Sequence, residues 1–95
     1  MSYIKLDTSV EEKLRNYLTS RMSPDKIYLL YQIRKLLKEF IKKENFIPKY
    51  GNSEELLISK LINLAEEKKI IERVVFDHSV GFIPLAEDWY KLVSN

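Results

Sequence analysis

The stretch SEELLISKLINLAEEKKIIERVVFDHSVGFIPLAEDWYKLV, residues 53–93, decides the fold. It opens with a serine and two glutamates, which are typical of a helix start because a hydroxyl can accept a free amide and carboxylates favour the helix dipole. Apolar residues then recur at helical spacing: Leu57, Ile58, Leu61, Ile62, Leu64 and Ala65. The pattern predicts a helix over 53–68, capped by Asn52 or Ser53, with a polar side formed by Ser59, Lys60, Asn63 and Glu66.

The character of the chain changes after this helix. Residues 70–76 are rich in β-branched side chains, residues 77–81 are polar with one glycine, and residues 82–85 are apolar again. Two such runs around a short polar loop predict a β-hairpin, with Pro84 at an edge or a strand end because it cannot donate to a ladder. Residues 86–93 predict a short closing helix that packs Trp89, Leu92 and Val93 on the core.

Two more helices are predicted upstream. Thr8 and Ser9 are each followed three residues later by glutamate, which is the capping-box pattern. The first helix then carries an apolar stripe and ends near Arg21 and Met22; the stripe consists of Val10, Leu14, Tyr17 and Leu18. Ser23-Pro24-Asp25 predicts the start of the second helix, which runs to about Lys43. The connector 44–52 is too apolar for a free loop, so we expect it to pack against the domain as a short strand.

The second helix has two distinct faces at 100° per residue. One face is apolar and consists of Leu29, Leu30, Ile33, Leu36, Leu37, Phe40 and Ile41. The opposite face is a basic stripe formed by Arg34, Lys35, Lys38 and Lys42, with Tyr31 among them and Glu39 at its border. A stripe of this kind is about 12 Å long, and it is the most organised charge feature of the sequence.

Composition limits the function classes. The 95 residues include no cysteine and one histidine, so disulfides, a thiol nucleophile and cysteine-ligated zinc are excluded. Paired carboxylates fall at predicted helix ends and glycines stand alone, so we expect neither catalysis nor a cofactor. We also expect no membrane span and, since the start lacks a signal-peptide layout, a cytoplasmic location. The abundant Lys, Glu and Ile suit a heat-adapted organism.

The formal charge of +2 is unevenly divided along the chain. Residues 1–50 carry +5 and residues 51–95 carry −3. This asymmetry favours a directed electrostatic surface, whereas the total charge of +2 is only a weak indication of a polyanionic partner. The alternative is that the charged residues form only a solvated face.

Residues 24–93 resemble a winged-helix domain. In that family a recognition helix ends in a charged pair and passes directly into a strand, after which a hairpin wing follows; LINLAEEKKIIE is similar to that passage. PLAEDWYKLV is similar to the strand and helix after the wing. The resemblance implies one α+β, mostly helical domain over residues 1–95, with three helices, a C-terminal β-hairpin and a short closing helix.

The resemblance also implies binding to double-stranded DNA by a small transcriptional regulator. The phosphate contacts would come from Arg34, Lys35, Lys38, Lys42, Lys68, Lys69 and Arg73, and the bases would be read by Ser59, Lys60 and Asn63. Three features depart from this expectation. FIPKYGN takes the place of a separate short helix, the wing tip carries Asp77, His78 and Ser79 in place of Lys or Arg, and Glu54 and Glu55 would repel phosphate.

Two further hypotheses concern partners. A regulator of this size usually reads two half-sites as a homodimer, so the helix within residues 1–22 is a candidate dimerisation element. The alternative is that the apolar stripe of this helix covers the domain's own core. The alternative function is a non-catalytic protein-interaction module or accessory subunit of a replication, transcription or repair complex, anchored by Tyr28, Tyr31 and Arg34.

Overall fold

A computed structural model describes residues 8–47, 53–74 and 89–93. Within these ranges the fold is α+β and mostly helical, as expected from the sequence. The elements in chain order are α1 (Thr8–Arg21), β1 (Ile27–Leu29), α2 (Leu30–Lys43), α3 (Glu54–Glu67), β2 (Ile71–Arg73) and β3 (Trp89–Leu92). No helix in the described part is long and apolar enough to cross a lipid bilayer.

The three strands form one antiparallel sheet in the order β1-β3-β2. The central strand, β3, occupies residues 89–92 of the closing helix predicted for residues 86–93, so that prediction is wrong for these four residues, while residues 86–88 lie outside the described ranges. Tyr90 lies opposite Tyr28 on one side and Arg73 on the other. Tyr90 and Leu92 alternate into the core, whereas Trp89 is only half-buried. The predicted partner run, residues 82–85, lies outside the described residues.

The second helix begins later than predicted. Ser23-Pro24-Asp25 forms a turn, in which Ser23 Oγ accepts from the Asp25 amide at 3.4 Å. Residues 27–29 then pair with β3 as a strand, and α2 begins at Leu30. The Gln32 side-chain oxygen accepts from the Leu29 amide at 2.8 Å, which satisfies a free donor at the helix start. The start of α2 therefore lies at Leu30 instead of near Pro24, because residues 27–29 pair as a strand and Gln32 caps the helix.

The connector after α2 does not begin as a strand. Asn45 takes the left-handed backbone conformation with φ 57°, which ends α2. Phe46 and Ile47 are helical, and the buried Phe46 ring packs edge-on against Phe40 at 5.4 Å. The short-strand prediction is therefore wrong for these two residues, while residues 48–52 lie outside the described ranges.

The stripe of α1 lies inside the domain's own core. Val10, Leu14, Tyr17 and Leu18 are 0–6% exposed, in the same buried cluster as residues of α2 and α3. The Tyr17 ring contacts Phe40, with centroids 5.1 Å apart. The stripe therefore covers the core of the monomer and is not exposed for a dimer interface, while dimerisation of the chain itself stays a prediction.

The helix α3 has the predicted start and a tight exit. Ser53 Oγ accepts from the Leu56 amide at 3.2 Å, which confirms Ser53 as the cap. At the other end Lys69 has φ 59°, and the Ile70 amide reaches back to the Ala65 carbonyl at 2.8 Å. This closure satisfies a terminal carbonyl and leads within two residues into β2. The chain thus passes from α3 to the sheet through a turn of only three residues, 68–70.

Candidate nucleic-acid interface

The outer face of α3 carries the residues predicted to read bases. Ser59, Lys60 and Asn63 are all exposed, while Leu57, Ile58, Leu61, Ile62 and Ala65 anchor the opposite side in the core. Helical spacing brings Glu55, Leu56 and Glu67 to the same outer face. Hydroxyl, ammonium, amide and apolar groups therefore lie together on a rigid helix. These are the kinds of group that can contact base edges and thymine methyls.

The basic stripe of α2 faces outward, as the periodicity predicted. Lys35, Lys38 and Lys42 are exposed and Arg34 is half-buried. On the opposite side Ile33, Leu37, Phe40 and Ile41 are buried, so the helix cannot rotate its cations away from solvent. The stripe is a fixed feature of the surface.

The stripe is joined to the start of α3 by two ion pairs. Arg34 contacts the carboxylate of Glu55, and Lys38 Nζ lies 3.7 Å from Glu54 Oε1. The expected repulsion between these glutamates and a phosphate is therefore reduced, because each carboxylate already faces a cation. The same pairs occupy two of the four cations of the stripe. Each pair joins an exposed side chain to a half-buried one at the surface, so each contributes about 0–1 kcal/mol to folding.

Lys68 and Arg73, two further predicted phosphate contacts, are held by other parts of the chain. Lys68 Nζ is 3.9 Å from Glu11 Oε1, and its carbonyl accepts from Arg15 at 3.3 Å. Arg73 lies over the Tyr90 ring, 5.8 Å from its centroid, and is 3.8 Å from Glu66. These contacts tie α1 to the exit of α3 and brace the sheet. A phosphate would have to compete with them.

Four predicted contact lysines have no carboxylate within ion-pair distance among the described residues: Lys35, Lys42, Lys60 and Lys69. All four are exposed. The structure thus divides the predicted contact residues into two groups. The first consists of the exposed lysines on α2, on α3 and just after α3, and the second consists of cations that already contact glutamates or an aromatic ring. Sequence periodicity could not make this separation, since it depends on which helices meet.

Sequence reasoning missed two exposed groups beside these residues. Leu56 is 38% exposed on the outer face of α3. Its position directly before the buried pair Leu57-Ile58 could have indicated this, because a residue next to that pair turns away from the core. Arg21, interpreted only as a helix end, lines a cleft with Tyr31 between α1 and α2. Its position at the C-terminus of α1 already accounted for a basic residue, so no sequence pattern indicated that Arg21 also lines a cleft.

The described residues contain no group of three or more His, Cys, Asp or Glu placed to hold a metal ion. The wing-tip residues Asp77, His78 and Ser79 lie outside the described ranges. Comparisons of the chain with protein-family models, with curated proteins and with solved structures found no match.

Proposed function

We propose that this chain is a winged-helix-like DNA-binding protein, a small transcriptional regulator that places α3 in the major groove. The observation that carries the proposal is the outer face of α3, where Ser59, Lys60 and Asn63 are exposed beside the basic stripe of α2. A helix with its side chains is about 10–12 Å wide and the major groove is about 12 Å wide, so the two fit. The proposal assigns no catalysis to the chain.

The element order supports the winged-helix part of the proposal. The charged end of α3 leads through a short turn into β2, and β2 pairs with β3 in antiparallel fashion. A helical segment also begins at Phe46, in the place where the resemblance implies a short helix before the recognition helix. The wing loop that the resemblance implies, residues 77–81, lies outside the described residues.

In this proposal the cations have separate roles. Lys35 and Lys42 contact phosphates, while Arg34 and Lys38 mainly hold Glu55 and Glu54 away from them. Lys60 stands on the reading face and contacts either a base edge or a phosphate. About three or four neutralised phosphates would give a modest salt slope, of roughly −3.

The direct test is binding to a duplex of about two helical turns, measured by fluorescence anisotropy at about 50 and 200 mM salt. Lys35→Gln with Lys42→Gln should weaken binding to all sequences equally and flatten the salt dependence. Lys60→Ala with Asn63→Ala should reduce the preference among sequences. The charge-matched control is Lys13→Gln with Lys26→Gln, two exposed positions outside the stripe and outside α3. No binding by the parent at the lower salt contradicts the proposal.

A second candidate function, a protein-interaction module, is favoured by one observation. Tyr31 is 58% exposed, the largest value among the exposed large apolar residues that the structure describes. The other two expected anchors are already engaged: Tyr28 Oη accepts from the Ser23 amide at 2.6 Å, and Arg34 pairs with Glu55. Interface hot spots are enriched in tyrosine, so Tyr31 is the remaining candidate anchor.

A further inference from the structure

Beyond DNA binding, we propose that a cleft between α1, β1 and α2 binds an acidic peptide segment of a partner protein that carries an apolar side chain. The cleft has a volume of about 360 Å³ and is open to solvent. Arg21 comes from the end of α1, Tyr28 from β1, and Tyr31, Lys35, Leu36 and Glu39 from α2. We name it the Tyr31 cleft.

The polar groups of the Tyr31 cleft divide into engaged and open ones. The Tyr28 hydroxyl accepts from the Ser23 amide, the Gln32 oxygen accepts from the Leu29 amide, and a Glu39 oxygen accepts from the Tyr17 hydroxyl at 3.2 Å. No described carboxylate lies within ion-pair distance of Arg21 or Lys35. The groups left for a ligand are therefore two cations, the Tyr31 phenol, and the O–H and N–H donors of Tyr28 and Gln32, while Glu39 keeps one negative charge in the lining.

This set of open groups specifies the ligand chemistry. Arg21 and Lys35 outnumber the single carboxylate of Glu39, so the lining carries a net positive charge and attracts carboxylates. The Tyr31 ring and the half-buried Leu36 provide an apolar seat. Arg21 is also held in place, since its guanidinium stacks 5.4 Å above the Tyr17 ring. A positioned guanidinium loses little freedom when it pairs with a carboxylate. Charge complementarity therefore points to an acidic segment with an interspersed apolar residue.

The size of the cleft favours a peptide over a nucleic acid. Grooves for single strands follow the backbone over about four or more nucleotides and align cations along that path. The Tyr31 cleft instead has a cation on α1 and another on α2 around a short apolar floor, which suits a few peptide side chains. The continuous basic stripe extends toward Lys42 on the same helix, outside this cleft.

The experiment titrates the full chain with a fluorescent peptide of about a dozen residues, made of Asp and Glu with spaced leucines. The cleft variants are Arg21→Gln and Tyr31→Ala, and the matched control is Lys43→Gln. Lys43 also stacks on the Tyr17 ring, at 5.9 Å, but does not line the cleft. All three positions are exposed, so folding, followed by circular dichroism, should be retained.

The expected result is saturable binding that each cleft variant weakens about five- to tenfold and that Lys43→Gln changes by less than about twofold. A peptide with serine in place of leucine should bind more weakly. Duplex DNA binding should be retained in Arg21→Gln, which separates this inference from the proposed function. The inference is overturned if the acidic peptide does not bind at low salt, if Lys43→Gln weakens it as much as Arg21→Gln, or if an oligothymidylate binds there instead.

Discussion

Arg34 of α2 contacts the carboxylate of Glu55 in the first turn of α3, so the basic stripe and the candidate recognition helix meet at one exposed ion pair. Lys38 and Glu54 repeat the arrangement one helical turn further along α2. A phosphate that approaches this junction competes with carboxylates for both cations. In the proposed function, the affinity for DNA would therefore depend on this competition as well as on the number of lysines.

The first prediction concerns Glu55. Glu55→Gln should tighten DNA binding by about two- to fivefold and steepen its salt dependence, because Arg34 becomes available to a phosphate. Stability should change by less than about 1 kcal/mol, since the pair is exposed. The control is Glu67→Gln, which removes an equal charge from the outer face of α3 far from the stripe. Weaker binding by Glu55→Gln would instead indicate that the carboxylate itself accepts from a base.

The second prediction compares two lysines of the same stripe. Lys42→Gln should lower the salt slope by about 0.9, the value for one phosphate contact, whereas Lys38→Gln should lower it by less. The reason is that Lys38 must leave Glu54, 3.7 Å away, before it can bind a phosphate. Anisotropy titrations over a salt series measure both slopes. If neither variant changes the slope, the stripe is a solvated face and the protein-interaction function is favoured.

The third prediction tests whether the α1 stripe belongs to the monomer core. Leu14 is fully buried, so Leu14→Ala should lower the free energy of unfolding by about 3 kcal/mol. Because the lost contacts are within one chain, this loss should be independent of protein concentration in urea denaturation. A loss that grows on dilution would instead place Leu14 between two copies. The exposed α1 residue Thr19 provides the control, as Thr19→Ala should have little effect.

The fourth prediction concerns alkaline pH. Burial, together with the hydrogen bond to Glu39, raises the pKa of Tyr17 above 10.0, and burial raises the pKa of Tyr90. A pKa that is higher in the folded state means that the fold favours the neutral phenol. This stabilisation is complete below pH 10 and is lost as the pH rises through the folded-state pKa. The free energy of unfolding should therefore fall above pH 10.

Urea denaturation at several alkaline pH values, with absorbance titration of the phenols, measures this effect. Tyr17→Phe should cost about 1 kcal/mol near neutral pH through the lost hydrogen bond, but should make the alkaline fall shallower. An equally steep fall in Tyr17→Phe would show that Tyr17 does not contribute to it.

Much of the helical structure was predictable because its signals are local. The stripe of α1, the cap at Ser53 and the outward basic face of α2 all follow from residues three or four positions apart. The same periodicity placed Ser59, Lys60 and Asn63 on an exposed face. Neighbours at these spacings meet on a helix whatever the rest of the chain does, so the sequence alone determined these features.

Only the tertiary structure decided the strands and the availability of the cations. Two short segments that were predicted as parts of helices are strands in the structure, namely Ile27–Leu29 and Trp89–Leu92. They form strands because they pair with each other across a long stretch of chain, with Tyr28 opposite Tyr90. In the same way, Arg34 and Lys42 are equivalent in the periodic pattern. They differ because the packing of α2 against α3 brings Glu55 to Arg34, whereas no described carboxylate reaches Lys42.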